Sequence, residues 1–155
     1  MEIEFRTTRV DEGDGLALVT AMAAELWVLY EGLELDGAAM PKAGPTELGP
    51  PHGLFLVGYG ADGTPLCCGG LKRLPDGACE IKRMYVAPAA RRQGLARRLL
   101  GALEDEARRL GYSVARLDTG PKQHSARRMY ESAGYVEIGN FNENPVATYF
   151  GEKAL

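Results

Sequence analysis

The chain has 155 residues, 45% of them hydrophobic and 25% charged, the make-up of a globular protein that stays in water and the size of one domain, 1–155, with a real core. No apolar run approaches the ~18–20 residues of a membrane span, and the acidic start Met1-Glu2-Ile3-Glu4 lacks the basic and apolar parts of a signal peptide. A net charge of −3 argues against non-specific binding to nucleic acid.

Glu2 to Thr8 alternates loosely and reads as a first strand, ended by the turn residues Asp11, Glu12 and Gly13. Asp14 is placed to cap a helix running through Leu16, Leu18, Val19, Met22, Leu26, Trp27 and Tyr30. From Glu31 to Pro51 the periodicity dissolves among glycines and prolines, with a short helix expected around Leu33 to Met40. An irregular segment of this length inside a compact domain is usually functional or disordered. Gly53–Tyr59 and Pro65–Leu74 read as strands joined by the hairpin turn Ala61-Asp62-Gly63-Thr64. After the turn Pro75-Asp76-Gly77, Ala78 to Val86 forms the third strand of a meander, stopped by Pro88.

Leucines at 95, 99, 100, 103 and 110, with alanines between, have helical spacing, and Gly111 suits the C-terminal cap. Ser113 to Thr119 is a further strand, expected to lie parallel to the one ending at Val86 because a helix separates them. Gly120-Pro121 breaks it. Ser125 to Ala133 is helical, and Tyr135–Ile138 and Val146–Lys153 close the sheet around a loop from Gly139 to Pro145. Cys67, Cys68 and Cys79 make an odd count, which fits a reducing cytoplasm. Cys67 and Cys68 are neighbours on one strand and face opposite sides, so they cannot converge on a metal.

The most informative stretch runs from Glu80 to Leu110. Strand, basic turn, Gly94 and helix follow one another, and a helix start offers unpaired N–H groups and partial positive charge to an anion. A glycine there lets the anion approach the backbone, so the arrangement reads as a phosphate cradle. The glycine spacing of a dinucleotide turn and the Gly-Lys-Ser/Thr of a P-loop are both absent. The whole string, Arg91-x-x-Gly94-x-Ala96 after Met84-Tyr85-Val86-x-Pro88 and before Leu99-Leu100, resembles motif A of the GNAT superfamily of N-acetyltransferases.

That resemblance extends over nearly the whole element order. It implies an α/β fold with a splayed central mixed sheet flanked by helices, opening just after Val86. It implies acetyl-CoA as co-substrate, with the backbone of Met84, Tyr85 and Val86 pairing with the pantetheine arm. Arg91, Arg92, Gln93, Gly94, Leu95 and Ala96 would then surround the pyrophosphate. Ala126-x-x-Met129-Tyr130-x-x-x-Gly134-Tyr135 resembles the family's second helix signature, in which the tyrosine hydroxyl approaches the sulfur and acts as general acid. Tyr130 inherits that role, against the alternative of a tyrosine packed in the core with its hydroxyl on backbone. The family often has Asn where this chain has Gln123, a longer amide offered to the same arm.

Acetyl transfer needs a base for the ammonium, donors for the thioester oxygen and a proton for the thiolate. Glu80 has the spacing from Arg91 at which histone-acetylating relatives carry a base. Strict alternation would put Glu80, Lys82, Met84 and Val86 on one face. The alternatives are a structural ion pair of Glu80 with Lys82 or Arg83, and a water or His52 as base. His124, at the start of the Tyr130 helix, reads as a CoA contact or a cap. No Ser or Cys partner for a nucleophilic triad is identifiable.

Charge divides unevenly: −7 through Pro51 and +4 from His52 onward. A basic half suits the phosphates of CoA. The acidic side, with Trp27, Tyr30, Glu34 and Phe141 as substrate contacts, predicts a small cationic amine as acceptor. These carboxylates would alternatively do no more than solvate a loop. A protein N-terminus as acceptor, a non-catalytic acyl-CoA-binding module and a general nucleotide-binding domain are the other readings. Monomer and homodimer stay open.

Overall fold

The computed structural model describes all 155 residues. Seven strands form one sheet in the order β1-β2-β3-β4-β5-β7-β6. Strands β1 (Ile3–Thr8), β2 (Leu54–Gly60), β3 (Pro65–Arg73) and β4 (Cys79–Val86) make an antiparallel meander. Helix α1 (Gly13–Leu29) lies between β1 and β2 in sequence, and α2 (Leu95–Arg109) between β4 and β5 (Val114–Thr119). That crossover makes β4 and β5 the one parallel pair, as a helical connection requires. Helix α3 (His124–Ser132) leads to β6 (Val136–Glu137), and β7 (Tyr149–Ala154) inserts between β5 and β6.

The sheet is covered on both faces, and alternation along β2 shows how. Leu54 and Leu56 face α2 and α3, while Phe55, Val57 and Tyr59 face α1. Helix α2 buries Leu95, Leu99, Leu100, Leu103, Glu104 and Ala107 on one stripe, with each leucine contributing about 1.5–3 kcal/mol by burial. Glu104 is tolerated there because Tyr135 Oη donates to it at 2.8 Å and Lys153 Nζ reaches both oxygens at 3.1 Å. Cys67 and Cys68 are buried on opposite faces, as expected. Burial pushes their thiols up to about 11 and about 12.

Several expectations need correction. Asp14 does not cap α1. The helix begins at Gly13 behind Glu12, with no side-chain cap, and Asp14 accepts instead from Tyr59 Oη at 2.7 Å. No helix forms at 33–40. Gly37 and Met40 donate to carbonyls three residues back, making successive turns that pack Leu35, Ala43 and Leu48 into the core. The last strand starts at Tyr149 rather than Val146, because Asn144 Oδ1 takes the N–H groups of Val146 and Ala147.

The correction with most consequence lies in β4. Gly70 pairs with Lys82 and Cys68 with Tyr85, so Arg83 and Met84 together face Gly69, which is a β-bulge. Arg83 adopts φ +59 there. The bulge switches the alternation: Cys79 and Ile81 face α2, and beyond it Met84 and Val86 do so, while Tyr85 joins the α1 side. Glu80 and Lys82 therefore do not share a face with Met84 and Val86. The β4–β5 ladder also stops early, at Cys79 with Ala115 and Glu80 with Arg116. The sheet opens after Glu80, not after Val86.

Gly69 makes room for the bulge. A Cβ there would come within 2.9 Å of Leu103 Cδ1 and 3.2 Å of Met84 Cγ. Gly69→Ala should therefore lower stability by about 1–3 kcal/mol through overpacking, read as a lower urea midpoint with unchanged slope. An unchanged midpoint would show that the bulge does not depend on this glycine.

Candidate active site

Past the opening, β4, the turn at 91–94, the C-terminal half of α1 and the starts of α2 and α3 enclose a channel of about 720 Å³, within the size range of cofactor sites. Its walls carry Met84, Tyr85, Val86, Arg91, Arg92, Gly94, Leu95, Ala96 and Gln123. Of the residues expected to hold the cofactor, Gln93 alone is absent from this wall and is turned to solvent. Arg97, Lys122, His124 and Ser125 join it. Sequence reasoning left His124 open between cofactor contact and cap, and missed the other three because their types at helix starts are common on any surface.

Helix α2 starts bare. Gly94 sits at its N-cap with φ +75, no side chain caps it, and the N–H groups of Gly94 through Arg97 have no protein acceptor. Arg92 is also left-handed, φ +63, so consecutive amides turn toward the channel as an anion nest. A Cβ on Gly94 would meet nothing within 4 Å. Glycine is used here for its backbone conformation and for the open approach. The arginines behave differently from expectation. Arg91 folds back, donating Nε to Val86 O at 2.9 Å and Nη2 to both Glu25 oxygens at 2.9 and 2.8 Å, with its guanidinium 5.5 Å from the Tyr85 ring centre. That carboxylate raises Arg91 above its ordinary range. Arg91 thus ties α1 to the turn, and the groups left without a protein partner there include the backbone amides of Gly94 to Arg97.

The channel leads into a smaller pocket of about 100 Å³ between the opened β4 and β5. Tyr130, Met84, Met22, Leu26 and Gln123 line both spaces. Tyr130 is 7% exposed, and its hydroxyl lies 3.8 Å from Met84 Sδ. The two readings of this residue merge: the ring is core, edge-on to Tyr135 at 6.2 Å, while the hydroxyl reaches the junction. Burial first, then the Asp118 charge, holds the phenol above its usual range, so it stays protonated and acts as a donor.

The charged groups of the inner pocket are Lys82, Arg83 and Asp118. Asp118 Oδ2 accepts from Asn142 Nδ2 at 2.7 Å and Asn144 Nδ2 at 3.0 Å. Glu80 stands behind this layer. It is fully buried, its Oε2 accepts from Asn142 Nδ2 at 2.7 Å and lies 3.3 Å from Lys82 Nζ, and it does not reach the pocket wall. Burial raises its carboxyl above the ordinary range. The ion pair weighed for Glu80 thus forms with Lys82, and the Asn142 amide links it to Asp118. Asp118 escaped sequence reasoning because it is one carboxylate at the end of a strand, with no motif around it.

Of the expected substrate contacts, Tyr30 lines the inner pocket, its hydroxyl 3.1 Å from Gln123 Oε1. Trp27 is half exposed and outside both spaces. Glu34 is exposed, and Phe141 stacks edge-on against Phe150 at 5.9 Å, away from the pocket. The reason is directional: the turns of 31–40 send Leu33, Leu35 and Met40 inward and their acidic neighbours outward. His52 is exposed and outside both spaces.

The fold and the site together define an α/β protein with a splayed mixed sheet, whose wedge runs from the free amides of α2 to a small inner pocket. Residues 20–135 match the model of the Acetyltransferase (GNAT) family, and the chain belongs to that family. An uncharacterized N-acetyltransferase of Schizosaccharomyces pombe is 36% identical over 99 residues, 63% of this chain and 61% of its own length. The IAA acetyltransferase of Azospirillum brasilense is 40% identical over 88 residues, 56% of this chain and 57% of its own. The matched part thus spans about three fifths of these relatives. A solved structure from Klebsiella pneumoniae carrying an acyl-CoA N-acyltransferase name superposes with TM-score 0.78 at 28% identity. It covers 99% of this chain and 97% of its own.

Gly94→Asp tests the nest. It adds a carboxylate beside the unpaired amides in open space, at a φ of +75 that strains any side chain, so a thermal melt of the variant accompanies the binding measurement. Acetyl-CoA affinity, read by calorimetry, should fall roughly 10–100-fold, the equivalent of about 1.4–2.7 kcal/mol. Unchanged affinity in a folded variant would remove the cradle assignment.

Proposed function

We propose that the chain transfers the acetyl group of acetyl-CoA to a small primary amine by direct attack. The observation that supports it best is the position of Tyr130, whose buried, protonated phenol stands where the cofactor channel meets the inner pocket. In this reading the pyrophosphate rests on the amides of Gly94 to Arg97, and the pantetheine arm follows the unpaired edge of β4 past Gln123. The thioester then lies at the junction, beside Met84 and Tyr130.

The acceptor enters the inner pocket as an ammonium, drawn by the Asp118 carboxylate. A base must take one proton before nitrogen can attack, and Asp118 is the carboxylate on the pocket wall. Glu80, one layer behind, positions it through Asn142. The amine nitrogen bonds to the acetyl carbon, backbone N–H groups of the opened β4 edge face the developing oxyanion, and the carbon–sulfur bond then breaks. Tyr130 gives its proton to the departing sulfur.

A binding module has less support, since cofactor binding alone gives no use to a protonated phenol aimed between two spaces. Tyr130→Phe keeps the ring packing and removes the donor. It should lower kcat by about 10²–10⁴ with acetyl-CoA affinity little changed, measured by release of free CoA thiol. The buried thiols of Cys67, Cys68 and Cys79 stay silent in that assay because their ionisation is pushed to about 11–12. Near wild-type turnover would return Tyr130 to the core. Asp118→Asn should lower kcat/KM by about 10²-fold or more, whereas Glu80→Gln should lower it less. The larger loss in Glu80→Gln would make Glu80 the base.

A further inference from the structure

We infer that the inner pocket takes an α-amino acid with an apolar side chain, its carboxylate held by Arg83 and its ammonium by Asp118. This rests on the acetyltransferase reading and names its acceptor. Arg83 sits on the β-bulge at φ +59, which turns its side chain into the pocket it lines. That side chain is only 7% exposed, yet its Nη2 is buried without a hydrogen-bond partner. The carboxylate within ion-pair distance, Asp36, is 3.8 Å away and fully solvated at 99% exposure, so solvent screens most of that attraction, and Asp118 and Glu80 act on the guanidinium only through their charge.

A buried guanidinium nitrogen with no acceptor is costly, and the cost is relieved by a ligand that supplies one. The neighbouring charges do not supply it. Lys82 is 3.3 Å from Glu80, and the Asp118 oxygen is held by two asparagine amides. The wall therefore offers one uncommitted cation and one carboxylate of a different element, in a space of about 100 Å³. A zwitterion is complementary to that pair, and a planar carboxylate matches the guanidinium fork. Thr119, Gln123 and Asn144 also line the pocket, but one side of it, made by Leu33, Leu35 and Met40, is apolar and fits an aliphatic or thioether side chain rather than a second charge.

The test measures binding to protein saturated with CoA, where no acetyl group can be consumed. L-alanine, L-valine, L-leucine and L-methionine are each compared by calorimetry with the amine lacking the carboxylate. In the wild type at least one amino acid should bind roughly 10–100-fold more tightly than its amine. Arg83→Gln should bring the two affinities together, and Arg83→Lys, which keeps the charge but not the fork, should fall between. Acetyl-CoA affinity of both variants, read through the separate channel, reports that they are folded. Equal binding of amine and amino acid by the wild type, no binding of either, or an amino-acid affinity untouched in Arg83→Gln would overturn the assignment. A parallel thiol-release assay separates the two ideas. Carboxylate-dependent binding without acetylation of any amine would leave the pocket assignment standing and sink the transferase reading. Acetylation of amines without carboxylate preference would do the reverse.

Discussion

One extra residue in β4 governs the rest of the site. A strand that kept its pleat from Cys79 to Val86 would continue its ladder with β5 and leave no wedge. With Arg83 and Met84 set against the single Gly69, β4 bends away after Glu80, since a bulge adds local twist and ends regular pairing. Three consequences follow from that geometry. The edge of β4 beyond Glu80 loses its partner, Met84 and Val86 turn to the channel side, and Arg83 is carried inward on a left-handed backbone.

The site presents two kinds of uncommitted donor. At the start of α2 the donors are amides, oriented by Gly94 and by the left-handed Arg92. Amides fixed in a helix start need no reorganisation when an anion arrives. Arg91, the basic residue that the turn's sequence advertises most strongly, is spent on Glu25 and Val86 O. Its effect is mechanical, since it fastens the C-terminal part of α1 to the edge of the channel. Deeper in, the donor is a side chain, Arg83, whose environment is apolar enough to lower its affinity for a proton. A charge in those surroundings discriminates strongly between ligands that pair with it and ligands that do not.

Much of this was legible in the residues. The element order, the parallel β4–β5 crossover and the glycine-bearing turn follow from local signals, leucine spacing, Pro88, Gly94, Gly111 and Gly134, whereas the tyrosine of α3 was singled out by the family resemblance alone. What escaped was decided by tertiary contacts. Nothing in Glu-Ile-Lys-Arg-Met-Tyr-Val marks the bulge, because the residue that permits it, Gly69, lies on the neighbouring strand. Period-two reasoning therefore assigned Lys82 and Met84 to one face. The segment 31–51 shows its charge in its composition but not the direction of each side chain. Its turns send Leu33, Leu35 and Met40 toward the pocket and leave Glu31, Glu34 and Asp36 in water.

That inversion alters what charge can do at the site. Carboxylates in water within a Debye length of about 8 Å can still raise the arrival rate of an ammonium. They cannot choose among ammonium compounds once the ligand is inside, because solvent screens them there. In the reading proposed above, choice falls to the half-buried Asp118 held by two asparagines, to Arg83 with its buried unpaired nitrogen, and to the apolar side chains beside them. Steering and selection thus sit on different residues of adjacent segments. The exposed face of 31–40 acts at a distance and is sensitive to salt, whereas its buried face and the bulge act on contact and are not.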